Sequence, residues 1–144
     1  MMPTVEDAIA LAVGKHRGQQ DKAGKPYILH PLRVMLSMAT DEERRVAVLH
    51  DVMEDCGVTR SDLKDLGYPE TEIAALEALT KAADEHGDYE KFIERVAKNP
   101  LAVRVKLADL KDNMDLSRLD VITDEDRKRI AKYERARDCL GLTR

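Results

Sequence analysis

The sequence predicts an all-α domain, and three observations carry that reading. Apolar residues recur at three- and four-residue spacing, capping residues punctuate those runs, and no alternating segment of strand length stands out. Composition agrees with them: only 3% of the 144 residues are aromatic, with one Phe, four Tyr and no Trp. Leu, Ala, Val, Ile and Met must therefore fill the interior, a mixture that favours helices over strands.

Each element has its own signal. Thr4 reads as an N-cap with Asp7 three residues on, and Val5, Ala8, Ile9 and Ala12 form a helical stripe running to about His16. Gly18 and Gly24-Lys25-Pro26 punctuate a loop, and Pro31 is placed to open the next helix, with Leu32, Met35, Leu36 and Ala39 at helical spacing. A helix from Asp41 through Cys56 is apolar almost all round (Val46, Ala47, Val48, Leu49, Val52, Met53), the pattern of a helix buried at the centre of a domain. Gly57 ends it. Thr59-Arg60-Ser61-Asp62 caps a short helix stopping near Gly67, and Pro69-Glu70 opens another through about Ala83. After the His86-Gly87-Asp88 loop, Tyr89 to Lys98 form a helix that Asn99-Pro100 breaks. Leu101 to about Leu116 is a second nearly all-apolar helix, and Asp124 caps a final charged one to Leu140. Neither an internal repeat nor a low-complexity segment is present. The expected architecture is one all-α domain over residues 1–144 with two buried central helices.

Composition also bounds the function. With 43% hydrophobic and 36% charged residues, the chain has the balance of a soluble globular protein. A net charge of −4 and the lack of a long basic stripe argue against a nucleic-acid polymer as partner. Small phosphorylated ligands, which need only a few local cations and a metal, are compatible with it. Cys56 and Cys139 belong to no CxxC or Cys/His cluster and read as two reduced thiols. The first residues lack a cationic region followed by an apolar run, and no stretch approaches transmembrane length. The expectation is a cytoplasmic protein with no membrane partner.

Three pieces of the chain carry chemistry: His30-Pro31, the run His50-Asp51-Val52-Met53-Glu54-Asp55, and the run Lys106-Leu107-Ala108-Asp109-Leu110-Lys111-Asp112-Asn113. Each sets an imidazole or carboxylate in an apolar or helix-forming run, where it is costly unless it binds something. His30, His50, Asp51 and Asp109 supply nitrogen and oxygen ligands suited to a divalent transition ion. On one continuous helix His50 and Glu54, and likewise Asp51 and Asp55, would lie one turn apart on a shared face. Metal-assisted hydrolysis is the chemistry this set suggests, with Glu54 and Asp55 beside the ion. Plainer explanations exist for each residue alone: a His before Pro can be a surface or capping residue, and Asp109 can sit in a buried salt bridge. The charge-rich segment Arg127 to Arg137 reads as a solvated helix face.

A His, then a separated His-Asp, then a distant helical Asp resembles the HD-domain metal-dependent phosphohydrolases. The wider match is to the RelA/SpoT-type alarmone hydrolases. It runs through the segment from His16 to Pro31, Leu49-His50-Asp51-Val52-Met53-Glu54-Asp55, Ala78-Leu79-Thr80-Lys81, and Val105-Lys106-Leu107-Ala108-Asp109 with Asn113-Met114. This resemblance implies a helical HD fold without a synthetase domain, comparable to the small stand-alone hydrolases. Those remove the 3′-pyrophosphate of guanosine tetra- or pentaphosphate, usually with manganese (Mn2+). By position, it implies His30, His50, Asp51 and Asp109 as metal ligands. Glu54 and Asp55 would orient or deprotonate the attacking water, Asn113 would contact the nucleotide, and Lys22 would lie in a basic loop that meets it. Lys106 is a further cation available to offset phosphate charge. Two positions depart from the pattern: Asp21 stands where the family usually has Arg, and Asp112 where it commonly has His. Both are expected to put negative charge near the nucleotide, and an Asp cannot stack on a base as a guanidinium does. The alternatives are hydrolysis of another nucleoside phosphate, such as a 3′- or 2′-phosphate, and a nucleotide-binding module without turnover.

Overall fold

The computed structural model describes residues 1–141, and among them the regular structure is helical apart from one isolated bridge between Gln20 and Pro26. In chain order the helices are α1 (Val5–His16), α2 (Leu29–Leu36), α3 (Asp41–Leu49), α4 (Val52–Asp55), α5 (Arg60–Asp65), α6 (Glu70–Ala78), α7 (Tyr89–Val96), α8 (Pro100–Asn113) and α9 (Asp124–Gly141). Short 3-10 turns at Ala83–Glu85 and Leu116–Arg118 lie between them. No helix of the described residues is long and apolar enough to cross a membrane.

The all-α expectation holds, and α3 is the centre. Val46, Ala47, Val48 and Leu49 are fully buried, and α1, α2, α6 and α8 pack around them. A reciprocal cap starts α3: the Thr40 hydroxyl accepts from the Glu43 N–H, and the Glu43 carboxylate accepts from the Thr40 N–H. Reciprocal caps at Thr4/Asp7 and Thr59/Asp62 start α1 and α5 at the positions read from sequence. Helix α9 closes over α7 and α8 and buries Ala136 and Leu140.

Several boundaries differ from the sequence reading, each for a local reason. The helix expected from Asp41 through Cys56 is broken after Leu49. Both the N–H and the imidazole Nδ1 of His50 take the carbonyl oxygen of Ala47, at 3.3 and 2.6 Å. An uninterrupted helix would give that acceptor to the N–H of Asp51. Pro31 does not open α2 but sits in its first turn, where its missing N–H has no intrahelical partner to lose. His30 is therefore a helical residue. Helix α6 stops at Ala78, five residues early, because the Thr80 hydroxyl bonds back to the Leu76 carbonyl at 2.8 Å. Helix α8 stops at Asn113, and Asp115 caps the 3-10 turn that follows. Thr123, not Asp124, caps α9, in a reciprocal pair with Asp126.

Candidate metal centre and adjoining cleft

The helix interruption between α3 and α4 sets the site. His50 caps α3 and Asp51 precedes α4, so the two neighbours stand at the junction between the helices. Helix α2 brings His30 and α8 brings Asp109 to the same point. His30 Nε2 lies 2.8 Å from Asp109 Oδ1, and His50 Nε2 lies 3.1 Å from Asp51 Oδ2 and 3.3 Å from Asp109 Oδ1. His30, His50 and Asp51 each offer one ligand atom within 4.8 Å of the other two. Both histidines and Asp109 are buried.

The donor set can be tested against a divalent ion by the state of His50. Its Nδ1 faces a carbonyl oxygen, which can only accept, so Nδ1 carries a proton. That leaves the Nε2 lone pair aimed between two carboxylates, and this buried atom lacks a hydrogen bond of good geometry. An acceptor nitrogen against acceptor oxygens calls for a cation between them, either a proton or a metal. Accordingly, although burial opposes it, the charges of Asp51 and Asp109 push the His50 pKa well above its ordinary value. The residues fit a divalent ion.

Supporting contacts hold the acids. Tyr27 donates its hydroxyl to Asp51 Oδ2, while Lys106 Nζ binds Asp109 Oδ2 at 2.7 Å and Asn113 Nδ2 reaches Asp109 Oδ1 at 3.1 Å. Despite the burial of Asp109, Lys106 first and then His50 and His30 hold its carboxyl well below the usual carboxylate range. The buried salt bridge that was the plain explanation for Asp109 is thus present, on the oxygen turned away from the imidazoles. Lys106, expected near phosphate, has its ammonium on that acid.

Glu54 and Asp55 are solvent-accessible and line the same small cleft, of about 160 Å³, as His30, His50, Asp51 and Asp109. Glu54 also accepts from the Lys81 N–H at 3.3 Å. A larger cavity of about 410 Å³ adjoins it, sharing Tyr27, His30, Asn113 and Tyr133 as walls, and Lys22 stands on its rim. Both unusual acids line that larger cavity, as the sequence reading expects of them, and each also has local partners. Asp21 Oδ1 accepts from the N–H groups of Ala23 and Lys25, both at 2.9 Å, which closes its own loop. Asp112 bonds to His30 and Arg33 at the wall of the same cavity.

Tyr27, Lys81 and Lys132 have no site role in the sequence reading, although the first two lie in its quoted motifs. Tyr27 had a weak signal, lying three residues before His30. Lys81 ends the quoted Ala78-Leu79-Thr80-Lys81 run, and Lys132 lies in the segment read as a solvated face. In fact Lys132 is half-buried, 4.6 Å from the Tyr89 ring centre, and lines the small cleft with Lys81 and Lys106. Burial first, then the positive charges of Lys81 and Lys106, pull its pKa down.

No family model matches the chain. A guanosine-3′,5′-bis(diphosphate) 3′-pyrophosphohydrolase of Aquifex aeolicus is 35% identical over 138 residues, 89% of this chain and 19% of that protein. A GTP pyrophosphokinase rsh of Brucella melitensis is 33% identical over 137 residues, 87% of this chain and 18% of that one. A second guanosine-3′,5′-bis(diphosphate) 3′-pyrophosphohydrolase, from Vibrio cholerae, is 28% identical over 140 residues, 89% of this chain and 20% of the relative. The chain spans about a fifth of the length of the curated relatives it matches. Among solved structures, that of a metazoan ortholog of SpoT that hydrolyses ppGpp superposes with a TM-score of 0.79 at 24% identity, covering 97% of this chain and 88% of that one. With that shared fold and similarity along most of its length, the chain belongs to the RelA/SpoT-like HD-type domains.

Proposed function

We propose that this chain forms one HD-type domain and is a divalent-metal-dependent 3′-pyrophosphohydrolase of guanosine tetra- or pentaphosphate. The observation that carries the reading is the convergence of His30, His50, Asp51 and Asp109 around the lone pair of His50 Nε2. The relatives' printed activities point to the substrate. Manganese is the ion we assign, since a mixed imidazole and carboxylate set suits it and the resemblance implies it. When bound, a divalent ion lowers the pKa of water and supplies positive charge for phosphoryl oxygens.

This chain's residues do the rest. Glu54 and Asp55, beside the ligand set, hold the attacking water and take its proton. Lys81 and Lys132 offset charge on the diphosphate, Asn113 orients the nucleotide from the shared wall, and Lys22 meets it from the loop above. Hydrolysis of a phosphate ester depends on positioning and electrostatics more than on a covalent intermediate, so no activated Ser or Cys is required. The buried imidazoles and Tyr27 limit water on the inner side of the centre.

The test is release of pyrophosphate from guanosine 3′,5′-bis(diphosphate) by purified protein with manganese. Activity no higher than that of the Asp109→Ala variant would remove this substrate. Asp21, a loop acid where the family usually has Arg, favours one second reading: the same chemistry on another nucleoside phosphate. A panel of 3′- and 2′-phosphorylated nucleotides separates the two by rank order.

A further inference from the structure

The carboxylate of Asp112 stands behind His30, against the ring nitrogen that faces away from Asp109. Its Oδ2 lies 2.6 Å from His30 Nδ1. Arg33 grips both of its oxygens, with Nε to Oδ1 at 2.8 Å and Nη2 to Oδ2 at 3.0 Å. Arg118 adds a bond to the Asp112 carbonyl at 2.9 Å. The Asp112 side chain is only 12% exposed. We propose that Asp112 is a positioning residue of the metal centre: it fixes the proton of His30 on Nδ1, aims Nε2 at the ion, and is itself held in register by Arg33. This rests on the reading of His30 as a metal ligand.

The chemistry follows from the two nitrogens of imidazole. A neutral ring has one N–H and one lone pair, and a carboxylate at Nδ1 requires the N–H there. The lone pair is then left on Nε2, 2.8 Å from Asp109 Oδ1 and beside the His50 ring, where a proton or the metal ion must lie between the two acceptors. A bidentate guanidinium makes the orienting carboxylate rigid, because two parallel bonds fix its plane as well as its place. Asp109 and Asp112 are three residues apart on α8, so one face of that helix supplies a ligand and the group that orients a ligand from α2. Asp112 lines the larger cavity while its carboxylate bonds to His30, with its charge matched by Arg33.

A simpler account would have Asp112 act only as one more negative charge near the ion. The two accounts make opposite predictions at Arg33. Removing that cation leaves the site more negative and would tighten metal binding if charge alone mattered. If orientation matters, Asp112 loosens and binding weakens. Manganese affinity of the full chain, measured by titration calorimetry without nucleotide, decides between them. Melting of the metal-free proteins serves as the folding control. Asp112→Ala is expected to bind manganese about 10–100-fold more weakly, the range for lost partners of metal-ligating histidines. Asp112→Asn, which keeps one acceptor oxygen, should fall between Asp112→Ala and wild type, and Arg33→Met should bind several-fold more weakly. Unchanged affinity in Asp112→Ala, or tighter binding in Arg33→Met, overturns the proposal. Should Asp112→Ala not fold, Arg33→Met still decides it, since the Arg33 side chain is one-third exposed and can be truncated. Failure of the wild-type protein to bind manganese, by contrast, overturns the ligand reading itself.

Discussion

The imidazole Nδ1 of His50 donates to the carbonyl oxygen of Ala47 at 2.6 Å, and that single bond both ends α3 and selects the ring nitrogen that faces Asp51 and Asp109. Fold and site are joined at this point. Replacing His50 with Gln should therefore abolish manganese-induced thermal stabilisation, a larger loss than the roughly 10–100-fold expected for an orienting partner. The metal-free melting temperature should change much less, because the surrounding Val46, Val48 and Leu49 packing is untouched. Melting curves with and without manganese check both parts. Retained stabilisation by the ion would show that His50 is not a ligand.

Inside the core, Arg45 of α3 and Glu72 of α6 form a two-point ion pair, each bond 2.9 Å, with both side chains less than 10% exposed. Removing one partner leaves an uncompensated buried charge, so Glu72→Ala should cost about 3–5 kcal/mol of stability. Replacing both, as Arg45→Met with Glu72→Leu, should recover most of that loss, since apolar groups of similar volume carry no desolvation penalty. Urea denaturation of the three proteins measures the difference. A double variant as unstable as the single one would show that the pair contributes net attraction.

What could be seen in the sequence was whatever depends on neighbours along the chain. Thr4 with Asp7 and Thr59 with Asp62 are caps three residues apart, and both formed where expected. His30, His50, Asp51 and Asp109 stood out because each interrupts an apolar or helix-forming run, and the fold brings them together. The break at His50 was hidden, because it depends on a side chain competing for the Ala47 carbonyl in a run that is apolar throughout. The partners of Asp112 and the burial of Lys132 were hidden for another reason. Which way a charged residue on a helix faces depends on what packs opposite it, and Arg33 and Tyr89 are far away in sequence. The bonds of Asp112 to Arg33 and the seat of Lys132 on Tyr89 follow from the packing of α2 on α8 and of α9 on α7.

Acid should loosen the turn that carries Lys81. Glu85 is buried, and hydrogen bonds from Arg95, followed in sign by the Ala82 N–H and against the desolvation that opposes them, lower its pKa from 4.5 to about 2. Arg95 also donates to the carbonyls of Glu77 and Thr80, so this pair closes the end of α6 beside the cleft. A group whose folded pKa is depressed stabilises the fold fully above its unfolded pKa and loses that contribution as pH falls through the folded value. The window is pH 4.5 down to about 2. Because Arg95 is partly exposed, we discount the effect for screening to about 1–2 kcal/mol. Melting temperature should fall more steeply over this window in wild type than in Glu85→Gln, which starts lower and has no such charge to lose. Parallel curves would show that the Glu85 charge does not contribute.

Lys132 offers the clearest separation between a solvated helix face and a phosphate contact. Its ammonium lies 4.6 Å from the Tyr89 ring centre and 5.3 Å from that of Tyr133, on the wall of the cleft that holds the ligand set. Held beside Lys81 and Lys106, it is destabilised by like charge until an anion arrives. A hydrogen bond between charged groups contributes about 1.5–3 kcal/mol, so Lys132→Ala should lower kcat/KM toward the guanosine 3′,5′-bis(diphosphate) by roughly tenfold or more. Manganese affinity should hold or rise, because a cation has left the vicinity of the ion. Stability should change little, since the residue is only half-buried. The residual loss should shrink at high salt, where attraction of a polyanion is screened. If Lys132→Ala left kcat/KM unchanged at low salt, the positive wall would be structural, and the diphosphate would have to lie elsewhere in the cleft.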